Sequence, residues 1–189
     1  MKLDDFLPAW QFNEVHAVTV DATPERVFIS IKQLTAVELS PLIFWMLDIR
    51  NLPAKLIGKH VPIATQPGPF LDQLYKGGFI PLAEEPDREI VFGLVGQFWK
   101  LIGGEEPHIP GPEAFLAFDD PAYAKVAANL LVSVDEHGRT RCSTETRVHV
   151  PEPQTRRKFA TYWRIISMGS AFIRVLWLKA IKRKAEGQS

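Results

Sequence analysis

Residues 122–150 read AYAKVAANLLVSVDEHGRTRCSTETRVHV, and residues 153–185 follow as PQTRRKFATYWRIISMGSAFIRVLWLKAIKRKA. The first stretch is extended from Ala122 to Val134, turns at Asp135-Glu136-His137-Gly138 and returns from Arg139 to Val150, which is the pattern of a long antiparallel hairpin. Pro151 and Pro153 then break the extended chain. Beyond them Phe159, Trp163, Ile166, Ser170, Ile173, Trp177 and Ile181 recur three and four residues apart, so they form one stripe of a helix that runs to about Ala185. The two longest elements of the chain are therefore a hairpin and the helix that directly follows it.

Toward the N-terminus, Glu14 to Val20 reads as a strand bounded by Asp21. Thr23-Pro24-Glu25-Arg26 opens a helix, with threonine as cap and proline at the first helical position, and Val27, Phe28 and Ile31 give it an apolar side. Ser40-Pro41 repeats that signal for a second helix through Leu42, Ile43, Trp45, Met46 and Leu47 to about Ile49. Residues 58–70 and 103–112 are rich in proline and glycine and read as loops. Phe70 to Tyr75 reads as a short strand or turn, and Glu113 to Phe118 as a strand. Phe79–Glu84 and Arg88–Trp99 form a hairpin around Glu85-Pro86-Asp87. The order is a strand, two short helices, a run of antiparallel strands and one long C-terminal helix. Such segregation predicts an α+β fold in which a curved antiparallel sheet wraps around that helix. It is expected to be a single domain over 1–189, with 1–12 and 186–189 as tails.

Composition narrows the function. With 189 residues, 46% hydrophobic and 23% charged, the chain can bury a core, and disorder is excluded. The single cysteine, Cys142, excludes an intramolecular disulfide and multi-cysteine metal sites. With no apolar signal core at the start and no run of the roughly 18 apolar residues that a membrane span needs, a cytoplasmic protein is expected. The net charge of zero hides an asymmetry. Residues 153–189 hold nine Lys and Arg against Glu186 alone, so they carry +8 and residues 1–152 carry −8. A basic helix docked on an acidic body explains this better than nucleic-acid binding, because the helix buries its own aromatics at helical spacing. No cofactor or metal is expected. There is no Gly-x-Ser-x-Gly elbow, no Walker or dinucleotide loop and no His-Glu-x-x-His pair, and His16, His60, His108, His137 and His149 are scattered.

At Val18-x-Val20-x-Ala22-x-Pro24-x-x-Val27-Phe28, and again at the hairpin 122–150 leading straight into the long helix, the chain resembles the START/Bet v1-like superfamily, also called SRPBCC. The resemblance spans nearly the whole chain in element order. It implies the helix-grip fold and a cavity between sheet and helix that holds a small apolar ligand such as a lipid or polyketide. The long proline-rich loops depart from the family in length, so no loop-borne functional residue carries over.

Strand parity names the inward face. It takes Ala124, Val126, Ala128 and Leu130 from the sixth strand, and Phe92, Leu94 and Phe98, with Ile90, from the strand after Pro86. It takes Thr144 and Thr146, with Cys142, from the last strand, and His16 and Val18 from the first. Trp163, Ile166, Ser170 and Ile173 face them from the helix, where Ser167, Gly169 and Ser170 interrupt the apolar stripe, which either leaves room for a ligand, as the resemblance implies, or lets helix and sheet pack closely. Arg50, after the second helix, is either a surface arginine, the stronger reading, or a rim residue that pairs with a ligand carboxylate. His16 is either a ligand contact or a core histidine satisfied by Thr144 or Thr146. Parity puts only this one titratable group inside, which favours binding over catalysis, and no catalytic residue is assigned. The alternatives are a cyclase/aromatase-type enzyme with His16 as base, or an interaction module that uses an apolar groove. The sequence leaves the oligomeric state undetermined.

Overall fold

A computed structural model describes residues 1–39, 68–100, 104 and 107–187. Its elements, in chain order, are α1 (Leu3–Phe6), β1 (Phe12–Val20), α2 (Pro24–Gln33), a 3₁₀ turn (Ala36–Glu38), α3 (Phe70–Lys76), β2 (Ile80–Glu85), β3 (Glu89–Gly96), α4 (Pro112–Ala117), β4 (Ala124–Val134), β5 (Thr140–His149) and the 34-residue α5 (Pro153–Glu186). The strands form one curved antiparallel sheet in the order β1-β5-β4-β3-β2, with α5 across its inner face. This is the α+β helix-grip arrangement that the sequence predicts. The first strand pairs with the last, so residues far apart in sequence share one end of the sheet.

Local chemistry fixes the boundaries. The β4–β5 turn is held by Asp135, whose Oδ1 accepts the N–H groups of His137 and Arg139, while Gly138 supplies the left-handed φ of 74°. Thr23 caps α2 by accepting the Arg26 N–H, with Pro24 at the first position. Glu152 caps α5 by accepting the Thr155 N–H, and Gly187, at φ 72°, ends it.

The sheet is covered on both faces. The inner core joins Val20, Phe28, Ile31, Ile90, Phe92, Leu130, Val132 and Cys142 to Trp177 and Ile181 of α5. A second core on the outer face joins Val91, Val95 and Ala127 to Leu3, Leu7 and Phe115. Several expectations differ from what the structure shows. Residues 1–12 are not a tail: α1 docks by Leu3, which exposes nothing, and β1 already begins at Phe12. Phe70–Tyr75 is helical (α3) and buries Phe70 and Leu71 against the inner core. Glu113–Phe118 is helical too, since Pro112 starts α4 and Phe115 plugs the outer core. At the other end Glu186 still belongs to α5. The expected second helix (40–49), Arg50 and most of the loop 58–70 lie outside the described residues.

Candidate functional site

The inner face of β1 carries Phe12, Glu14, His16, Val18 and Val20, all more buried than the residues between them. Pairing sets these residues into rows. His16 stands opposite Thr144, and Glu14 stands opposite Thr146, which continues to Ala128 and Phe92. Phe12 stands opposite Val148, which continues to Val126 and Leu94. The middle of this face is thus polar near β1 and apolar toward β3.

His16, Glu14, Thr144 and Thr146 share this face of the sheet, and Arg174 of α5, beside Ser170, reaches it at Thr144. The His16 Nε2–H donates to Glu14 Oε1 at 2.6 Å. Arg174 donates from Nη1 to Thr144 Oγ1 at 3.2 Å and from Nε to Ser170 Oγ at 3.4 Å. Burial pulls the Arg174 guanidinium below its ordinary pKa, and the charge of Glu14 pulls it back up. Glu14 Oε2 and Thr146 Oγ1 are enclosed and meet no hydrogen-bond partner among the described residues. A buried polar atom left in that state costs about 1–3 kcal/mol, and these two belong to facing residues of β1 and β5.

The packing of α5 changes at this place. Near its N-terminal end Phe159 is buried among Phe12, Trp99 and Trp163. Near its C-terminal end Trp177, Leu178, Ala180 and Ile181 are buried in the inner core. Between them Ile166, Ser167, Ser170 and Ile173 are only half-buried. The helix is sealed to the sheet at both ends and less tightly over the polar cluster.

The expected site residues divide accordingly. His16, Thr144, Thr146 and Ser170 come together in the polar cluster. Phe92, Ala128 and Leu130 belong to the inner core, with Val18 and Ile173 against it. Ala124 packs with Phe159, with Val126, Phe98 and Trp163 beside it. Leu94 and Ile166 are half-buried. Phe98 does not follow β3 parity, because the strand ends at Gly96 and Phe98 turns toward the Phe159 end of α5. The partner of His16 is Glu14 rather than a threonine, since Thr144 is taken by Arg174. Glu14 and Arg174 are the two residues that sequence reasoning missed. Glu14 shares the parity of His16, and Arg174 lies one helical turn beyond Ser170. His16 is therefore not alone among titratable groups on the inward face.

Cys142 is fully buried and its thiol is pushed up to about 12 by burial, so it offers no nucleophile here. Among the described residues no three His, Cys, Asp or Glu gather to hold a metal, and no helix is long and apolar enough to cross a membrane. A groove of about 430 Å³ on the outer face runs between Phe6–Ala9, Leu116, Phe118, Lys125 and His149, away from every expected site residue.

The chain matches no known family model and no curated protein. Among solved structures, TTHA0849 from Thermus thermophilus aligns over 94% of this chain and 99% of its own, at 13% identity and a TM-score of 0.34. A likeness that slight decides nothing about function.

Proposed function

We propose that the protein binds a small, largely apolar molecule between the sheet and the middle of α5. The observation that carries this reading is that enclosed polar atoms without partners lie on the sheet face crossed by the half-buried middle of a helix whose two ends are buried. Apolar ligand surface buried there contributes roughly 25 cal/mol per Å² before the entropy costs of binding. Ala128, on the row of Glu14 and Thr146, provides the test. In a solid interior Ala128→Trp overpacks and costs about 1–3 kcal/mol or more. If the interior opens to take a ligand, the indole occupies the ligand's place, the fold survives, and binding of an apolar dye such as Nile red falls sharply. Strong destabilisation, together with a parent protein that binds no dye and carries no small molecule in native mass spectrometry, would end the binding reading.

The contact between Glu14 and His16 favours a second reading, an enzyme that transfers a proton. The Glu14 contact orients the imidazole, whose Nδ1 would serve as base in the neutral ring, while Arg174 stands by to stabilise a developing negative charge. Turnover of a carbonyl substrate that is abolished by His16→Ala, with folding intact, would select this reading.

A further inference from the structure

We infer that the cluster of Glu14, Thr146 and Arg174 is a head-group site for a neutral amphipathic molecule whose polar end both accepts and donates a hydrogen bond, such as a primary amide or a hydroxy-carbonyl group. The inference rests on the ligand-binding reading and adds the chemistry of the ligand.

Three groups have capacity to spare. Glu14 Oε2 is enclosed and meets no donor among the described residues, while Oε1 is occupied by His16. Thr146 is 3% exposed, and its hydroxyl has no partner there either. Arg174 has five N–H donors. It uses two of them, both on neutral hydroxyls, and forms no ion pair among the described residues.

The arrangement of the charges selects the ligand. Arg174 is anchored on Thr144 and Glu14 stands opposite Thr146, two residues further along β5, a separation of roughly 6.6 Å along the strand. The two charges attract each other, but each is held by its own neighbours, Glu14 by His16 and Arg174 by Thr144 and Ser170. A carboxylate ligand would satisfy Arg174 and face the charge of Glu14. An ammonium would satisfy Glu14 and face Arg174. A hydrocarbon would leave both charged groups desolvated and unpaired. A neutral head that offers a carbonyl oxygen to Arg174 and an O–H or N–H to Glu14 fits both, and Thr146 can serve either function. Ala128 and Phe92, on the same row, extend the apolar face of the sheet away from the head group, toward Trp177, which packs against Phe92.

Three ten-carbon probes separate the possibilities: decanamide, methyl decanoate and decanoate. Binding to the full chain is followed by native mass spectrometry and by displacement of Nile red at pH 7. Decanamide is expected to bind about tenfold tighter than either of the others, as when a site's buried polar groups are matched rather than left unpaired. That preference should collapse in Glu14→Leu, where methyl decanoate, which has no donor, binds as before, whereas Arg174→Met should weaken both probes. Thr146→Val, which removes only a hydroxyl, should reduce the preference in part. Equal binding of decanamide and methyl decanoate to the wild-type protein would overturn the inference and leave the ligand-binding reading standing. Decanoate binding tightest, with its advantage lost in Arg174→Met, would overturn the neutral class in favour of an anion. If none of the three probes nor the dye binds, the ligand-binding reading fails and the inference falls with it. The wild-type ranking decides even if a variant does not fold.

Discussion

Glu89 exposes nothing, and its carboxylate accepts three donors: the N–H groups of Lys2 and Leu3 at 2.6 and 3.2 Å, and Asn129 Nδ2 at 2.7 Å. The first two are unpaired amides of the opening turn of α1, so one buried side chain of β3 caps a helix more than eighty residues away in the chain. Glu89→Ala strands all three donors and should cost about 3 kcal/mol or more by urea unfolding, with Glu89→Gln in between. A loss under about 0.5 kcal/mol, the range of an ordinary surface position, would show that this network does not hold α1. Cys142 gives a prediction with a definite sign. Its folded pKa, about 12, is above its ordinary value of 9.0, so the folded state keeps the proton longer than the unfolded state. Above pH 9 the unfolded chain binds fewer protons, and stability must fall as pH rises, up to about 12. Every tenfold difference in proton affinity between the two states is worth about 1.4 kcal/mol, so Cys142→Ala should flatten the alkaline limb of the stability curve measurably. Parallel curves for parent and variant would mean that the thiol does not titrate differently on folding.

The elements that the sequence made legible are the long, well-capped ones. β4, β5 and α5 repeat their patterns over ten or more residues, and Asp135, Gly138, Glu152 and Pro153 mark their ends. The short helices α1, α3 and α4, of four, seven and six residues, span two turns or fewer, too little for a period of 3.6 to emerge. They exist because Leu3, Phe70 and Phe115 have cores to enter, which is information held by the sheet and not by the segments themselves. The site was half legible for a related reason. Parity brings out His16, Thr144 and Thr146, but Glu14, on the same parity, is charged and does not stand out as apolar lining, and helical spacing alone cannot say that Arg174 reaches across to β5. If α1 were a loose tail, Leu3→Ala would cost nothing. Fully buried, it should cost about 2–4 kcal/mol, and hydrogen exchange in residues 3–7 should accelerate with it.

For the molecule as a whole the question is what holds α5. The charge asymmetry suggests an acidic body gripping a basic helix, yet this occurs mainly at the C-terminal end. There Lys184 meets Glu38 at 2.7 Å and Lys182 donates to the Thr19 carbonyl. Arg157, Lys158, Arg164 and Lys179 are exposed and form no ion pair among the described residues. Exposed pairs are worth about 0–1 kcal/mol each, against roughly 1.5–3 kcal/mol for burying one large apolar side chain, so Phe159, Trp177, Leu178 and Ile181 outweigh the charges. Raising salt should therefore move the melting temperature little, whereas deleting residues 153–189 should abolish cooperative folding. Without α5 the inner face of the sheet bares Val20, Phe92, Leu130, Val132 and Cys142, and the outer core of Leu3, Leu7, Val91, Val95, Phe115 and Ala127 covers one side only. A sheet open on one apolar face is prone to associate. Circular dichroism and calorimetry of the truncated chain should find no sharp transition. A cooperative melt near the temperature of the full-length protein would mean that the outer layer stabilises the sheet alone and that α5 is an added arm, whose basic exposed face would then call for a partner of its own.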